Sequence, residues 1–304
     1  MVLTVGDALR QARARLADSP VATPERDAEE LLGRLLGVSR AELYLRRATS
    51  LDEPRARQLD AWLRRRVDGE PVQYITGRAA FRGLDLAVSP AVLIPRPETE
   101  GLVEAVLEVL EAEAQRWRQP RLLDLGTGSG AIALAIAREW PAALVTATDA
   151  SEAALEAARA NARSLNLDRR IEFRCGDWFA AVGADDRFEV VASNPPYIAA
   201  DEWDALPDDV RRFEPVQALC SGPDGLDAVR EIVDEAPRHL VAGGLLALEL
   251  AETRAAEVAG GLEGARDWSS SELREDLTGR PRYLLARRER GPAIAPAQWA
   301  EERE

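Results

Sequence analysis

Apolar residues recur at helical spacing through roughly the first 70 positions. Val5, Leu9, Ala12 and Leu16 form one stripe. Leu31, Leu32, Leu35 and Leu36 form a second, opened by Thr23, Pro24 and Glu25 and stopped at Gly37, and Leu59, Leu63 and Val67 form a third that ends at Gly69. Ser39 with Glu42 reads as a capping box. Short helices on short loops bury one another's stripes, so residues 1–72 are expected to form a small helical bundle. Over 73–97 the pattern turns to alternation, with Phe81, Leu84, Leu86 and Val88 around Gly83, which predicts a linking β-hairpin.

From 98 to 289 the periods alternate. A helix from Thr99 to about Trp117 precedes a strand at Arg121 to Leu125. There follow a helix at Ile132 to Glu139, a strand at Leu144 to Thr148, a helix at Ser151 to Ser164, and strands at Ile171 to Arg174 and Phe188 to Ser193. A helix at Leu226 to Leu240, a strand at Leu245 to Leu250, another helix and two terminal strands complete the pattern. The fold class is α/β, a mostly parallel Rossmann-like sheet with helices on both faces. Ligands of such sheets bind beyond the carboxyl ends of the strands, where Gly126, Asp149, Asp177 and Asn194 should converge. Ile198 to Pro223 is too long for a plain connector and is expected to close over the substrate. Residues 290–304 read as a flexible tail.

Two stretches carry chemistry. Leu122 to Leu125 runs into Gly126, Thr127, Gly128, Ser129 and Gly130, a glycine turn that opens a helix. Asp149, at the end of the next strand, stands where a carboxylate takes ribose hydroxyls. The turn also satisfies a dinucleotide pattern, but Asp124 ahead of the glycines repels a pyrophosphate and suits the ammonium of an amino acid. S-adenosylmethionine has that ammonium, a ribose, an adenine and no phosphate. The second stretch is Asn194, Pro195, Pro196 and Tyr197. The Asn194 side-chain oxygen and the Pro195 carbonyl are both acceptors, able to hold the two protons of a planar NH2 group, and Tyr197 can stack on its plane. By itself the tetrapeptide reads equally well as a strand-ending turn.

Composition narrows the options. The net charge of −14 disfavours nonspecific binding to nucleic acid or an anionic membrane. All 39 basic residues are arginine, and Arg64, Arg65 and Arg66 read as a solvated helix face. Cys175 and Cys220 suggest neither a disulfide framework nor a zinc site, so no metal is expected. His239, near a helix end, is expected to cap or face solvent. No apolar run has the length of a membrane span and no signal-peptide pattern is present, which makes the cytoplasm the default compartment. Pro95 and Pro97 stiffen the backbone around Arg96. Glu98 and Glu100, at a helix start, are expected to complement its dipole.

With these residues in place, the chain resembles the PrmC (HemK) family of class I S-adenosylmethionine-dependent methyltransferases, which methylate a glutamine side-chain nitrogen in peptide-chain release factors. The stretches that carry the resemblance are EPVQYITG (70–77), VLIPRPETE (92–100), DLGTGSGA (124–131), GDWF (176–179) and SNPPYI (193–198). The resemblance implies an adenine site at Asp177 and Trp178, a terminal antiparallel hairpin, and an N-terminal bundle that docks a protein substrate. It implies transfer to the N5 nitrogen of the Gly-Gly-Gln glutamine of class I release factors. A monomer that binds no nucleic acid directly is expected. The nearest alternative is a DNA or RNA exocyclic-amino methyltransferase, because a base amine fits the same acceptors.

Overall fold

The computed structural model of the protein describes residues 3–289, so the expected tail at 290–304 lies outside the described residues. The chain divides into two units. One runs to Arg78 and includes Leu206–Glu214; the other comprises Ala79–Ala205 and resumes at Pro215.

In the first unit the apolar stripes become α1 (Val5–Ala17), α2 (Pro24–Leu36), α3 (Arg40–Leu45) and α4 (Glu53–Val67). Thr4 and Asp7 form a capping box at the start of α1, and Ser39 with Glu42 does the same for α3, satisfying N–H groups that a helix leaves open. Leu9, Leu16, Leu31, Leu32, Leu59 and Leu63 meet in one core. Two expectations change here. Residues 73–76, read as the start of an alternating stretch, belong to the short helix α5 (Val72–Thr76), because Val72 and Ile75 share a helical face that joins this core. The arginine run is not uniformly solvated either. Successive helical residues point about 100° apart, so Arg66 turns inward while its neighbours do not. Its Nε donates to Asp27 Oδ2 at 2.7 Å and its Nη1 to the carbonyls of Gly69 and Glu70.

A hairpin follows, β1 (Arg78–Phe81) and β2 (Leu84–Ala87), which from Ala79 onward belongs to the second unit. Its two-residue turn puts Arg82 at φ 43°, a strained value for a side-chain-bearing residue. Three acids hold it there: Glu100 Oε1 accepts from the Arg82 backbone N–H at 2.9 Å, and the guanidinium reaches Glu104 at 2.8 Å and Glu139 at 2.7 Å. Glu100 thus grips the hairpin tip as well as standing at a helix start.

The remaining elements are α6 (Pro97–Ala112), β3 (Arg121–Leu125), α7 (Ala131–Glu139), β4 (Leu144–Asp149), α8 (Glu152–Ser164), β5 (Ile171–Cys175) and β6 (Phe188–Ser193). They continue with α9 (Asp208–Phe213, part of the first unit), α10 (Asp227–His239), β7 (Leu240–Glu249), α11 (Glu252–Leu262), β8 (Trp268–Glu275) and β9 (Pro281–Arg288). Among the described residues, β5-β4-β3-β6-β7-β9-β8 form one sheet in that order. The first five strands are parallel, and β9 runs antiparallel to both β7 and β8. Leu122, Val190 and Leu245 pack on one face with α6 and α7, and Leu123, Val191 and Leu246 pack on the other with α10 and α11. Covering both faces explains why the central strands read as continuous apolar runs. The strand order reverses between β3 and β6, which opens a crevice at their carboxyl ends.

His239 departs from its expectation. It is buried at the end of α10, stacked on Phe179 with ring centroids 4.8 Å apart, and burial pushes its pKa down. Ile232, Ala236 and His239 share the face of α10 that packs on the core, which is why the ring turns away from water.

Candidate active site

Strand register brings the site together. Leu125 on β3 stands beside Ser193 on β6, and Ser193 stands beside Leu248 on β7. The residues that follow, Gly126, Asn194 and Glu249, therefore emerge side by side at the carboxyl rim. One cleft opens there. Its wall includes Gly126, Gly128, Asp149, Gly176, Asp177, Trp178, Asn194 and Pro196, together with Ala91 to Leu93, Ser151, Ala154, Pro215, Gln217 and Ala218.

The glycine turn runs through Gly126, Gly128 and Gly130 at φ 68°, 56° and 86°, where a Cβ is strained. A Cβ on Gly128 would meet nothing within 4 Å, so it would project into free space at the cleft; on Gly130 it would come within 2.9 Å of Leu134. The first of these glycines keeps the backbone bare toward a ligand and the second lets α7 start tightly against the sheet. Trp178, itself at φ 39°, lies against Gly126. Asp149 Oδ2 accepts from the Gly128 N–H at 2.9 Å and its Oδ1 accepts from the Ser151 N–H at 2.9 Å. Each of these oxygens keeps a further lone pair, as ribose hydroxyls require. Burial raises the Asp149 pKa.

Several residues expected to touch a ligand hold the turn. Asp124 is fully buried and absent from the cleft wall. Its Oδ2 accepts from the Thr127 hydroxyl at 2.6 Å and from the Ala133 N–H at 3.1 Å, while Oδ1 has no partner among the described residues. Burial pushes its pKa up to about 7. Thr127 and Ser129 are buried as well, and Gly130 sits at the helix start behind them. Asp124 stands one residue before the end of its strand, and its carboxylate braces the loop from beneath.

Of the Asn-Pro-Pro-Tyr stretch, Asn194 and Pro196 reach the cleft wall. Asn194 Nδ2 donates to Thr99 Oγ1 at 3.0 Å, and Thr99 Oγ1 lies 2.7 Å from Glu249 Oε2. Pro195 and Tyr197 lie off that wall. Tyr197, expected over a substrate amide, is largely buried within electrostatic reach of Glu249, Arg282, Arg96 and Glu98, and burial pushes its phenol up to about 12. The loop beyond is pinned at its base, where the Ser221 N–H donates to the Ile198 carbonyl and the Ile198 N–H to that of Leu219, and its far side supplies Pro215, Gln217 and Ala218 to the cleft.

Three site residues escape sequence reasoning. Asn161 on α8 is buried and fully engaged: Oδ1 accepts from the Ala87 N–H at 2.7 Å, and Nδ2 donates to the carbonyls of Ala87 and Ser129 at 3.0 and 2.9 Å. It ties the hairpin to the glycine turn. Thr99 and Glu249 are the others. Their signals were a polar residue inside a proline-stiffened stretch and an acid closing an otherwise apolar parallel strand.

Residues 7–77 match the model of the PrmC N-terminal domain, and residues 103–206 match that of the methyltransferase small domain. Release factor glutamine methyltransferases from Koribacter versatilis and Cereibacter sphaeroides are 39% and 44% identical to it, each across 94% of this chain and 99% of the relative. The one from Streptomyces coelicolor is 41% identical across 91% of this chain and 96% of its own. Among solved structures, the hMettl16 catalytic domain in complex with MAT2A 3'UTR hairpin 1 has a TM-score of 0.54 at 17% identity, covering 81% of this chain and 84% of that one, a likeness of fold alone. With relatives of this identity spanning nearly its whole length, the chain belongs to the release factor glutamine methyltransferase family.

Proposed function

We propose that the cleft transfers a methyl group from S-adenosylmethionine to the N5 side-chain nitrogen of the Gly-Gly-Gln glutamine in class I peptide-chain release factors. The observation that carries this reading is the adjacency of Asn194 and the Gly126–Gly130 turn on one cleft, at the reversal of strand order. In this reading Asp149 holds the ribose hydroxyls, Asp177 and Trp178 bound the adenine, and the bare backbone at Gly126 and Gly128 admits the methionine end. When bound, the cofactor supplies a sulfonium methyl that is already activated.

An amide nitrogen is a poor nucleophile, so the protein's contribution is alignment and electrostatics. Asn194 Oδ1 and the Pro195 carbonyl accept the two protons of the glutamine NH2 and turn its nitrogen toward the methyl carbon. As the N–C bond forms and the S–C bond breaks, positive charge gathers on those N–H groups and both hydrogen bonds strengthen, which favours the transition state over the ground state. The surplus proton then leaves to solvent. The N-terminal helical unit docks the release factor, and the enzyme works as a cytoplasmic monomer that does not itself bind nucleic acid.

The test is a transfer assay with isotope-labelled S-adenosylmethionine, followed by mass-spectrometric mapping. One methyl on the Gly-Gly-Gln glutamine is expected. Label on DNA or RNA amino groups, with none on the release factor, would overturn the assignment.

A further inference from the structure

We propose that Glu249 and Thr99 are positioning residues that decide which end of the Asn194 side-chain amide faces the cleft. The inference rests on the reading of Asn194 as an acceptor for the substrate NH2. Thr99 is 4% exposed and Glu249 1%, so neither exchanges its partners with bulk water. A threonine hydroxyl has one proton to give. A carboxylate only accepts, so with Glu249 ionised that proton goes to Oε2, at 2.7 Å. Thr99 Oγ1 is then left with lone pairs alone toward Asn194. It must therefore face the Nδ2 end, as found at 3.0 Å, and Oδ1 is released to the cleft that Asn194 lines.

Protonate Glu249 and the direction is no longer imposed. Glu249 can donate to Thr99, Thr99 can donate to Asn194 Oδ1, and the Asn194 NH2 then turns to the cleft, donor against donor. A buried carboxylate closing an apolar strand is costly. The polarity it imposes on Thr99 accounts for its presence.

The surroundings hold this chain in place. Tyr283, paired with Glu249 across β7 and β9, donates its hydroxyl to the Glu98 carbonyl at 2.6 Å. A Cβ on Gly101 would fall 2.3 Å from that hydroxyl, so glycine there is what lets the first turn of α6 seat Thr99 beside Glu249. The charged and titratable groups facing Glu249 are Arg96 and Glu98 ahead of Thr99, Arg282 and Tyr283 from β9, and Tyr197 from the loop after β6. Burial, opposed by Thr99 and Arg282, pushes the Glu249 pKa up to about 7.

The experiment uses the full chain with a release factor substrate and compares Thr99→Val, Thr99→Ser, Glu249→Gln and Asn194→Ala. Turnover is measured against pH, cofactor affinity by calorimetry and folding by thermal melting. Thr99→Val and Glu249→Gln should lower kcat roughly tenfold to a hundredfold, the scale of one misdirected buried hydrogen bond. Cofactor affinity should hold and Thr99→Ser should recover most of the loss. Wild-type kcat should climb as pH rises through about 7, and Glu249→Gln should lack that limb. Asp124 titrates in the same range but is common to both proteins, so the difference belongs to Glu249. If Thr99→Val fails to fold, Glu249→Gln and its pH profile decide. Full kcat in the Thr99 and Glu249 variants beside an inactive Asn194→Ala would overturn the positioning role, as would an unchanged pH limb in Glu249→Gln. Full kcat in Asn194→Ala would instead overturn the reading of the site itself.

Discussion

Ser193 Oγ donates to the carbonyl of Leu125 across 2.7 Å of buried space, joining the last residues of β6 and β3. Parallel strands end in open carbonyls; here the last carbonyl before the glycine turn is taken by the residue just before Asn194. The cofactor side and the substrate side of the cleft are thereby held in one register.

Replacing Ser193 with Ala leaves that carbonyl unpaired, which costs about 1–3 kcal/mol. Urea denaturation should show the loss in the midpoint at unchanged slope, and turnover should fall further than stability alone accounts for.

Asn194→Ala removes the acceptor aimed at the substrate while touching little of the cofactor wall. Calorimetry should find S-adenosylmethionine bound with near wild-type affinity, while single-turnover methyl transfer drops by roughly a hundredfold or more.

Combining Gly128→Ala with Asp149→Ala attacks the other half. The first puts a Cβ into free space at the cleft at φ 56°, and the second removes the carboxylate on its rim. No calorimetric binding isotherm is expected, though the protein should still melt cooperatively.

Asn161→Ala should be among the most destabilising changes outside the core proper. It unpairs the Ala87 N–H and the carbonyls of Ala87 and Ser129 together, a loss of about 3 kcal/mol or more. Thermal melting checks the loss, and weakened cofactor binding should accompany it because the glycine turn loses its tether.

Stability should also carry a pH signature of Asp124. Its pKa is about 7 in the fold against 3.8 unfolded, so the native state binds the proton more tightly. The associated stability is fully present below the unfolded value and is lost as pH rises through the folded one. Melting temperatures of wild type and Asp124→Asn should therefore be closest below the unfolded value of 3.8 and diverge as pH rises to about 7, in favour of Asn. A gap that stays constant across that range would contradict a buried, proton-binding carboxylate.

Much of this architecture is written locally. The capping box at Ser39, the stripe of α2 and the apolar runs of β3, β6 and β7 each depend on residues within a few positions of one another, which is why their places follow from spacing. The glycine turn and Asn194 were legible for the same reason, since each is a strand ending in an unusual residue. What spacing misjudged were inward and outward faces: Arg66 and His239 look solvent-bound by type, yet the helix phase turns both inward.

The amino-acid sequence by itself determined the alternating sheet, the helical N-terminal unit, the bare glycine turn and an amide acceptor after the fourth parallel strand. Only the tertiary structure decided that Asp124 braces the turn from beneath and that Asn161, 74 residues from Ala87, ties the hairpin to the turn. It alone set Asn194 beside Thr99 and Thr99 beside Glu249, across 95 and 150 residues of chain. A hydrogen bond needs two groups within about 3 Å, and no local period records which distant strand end, once paired into the sheet, will bring the second group that close.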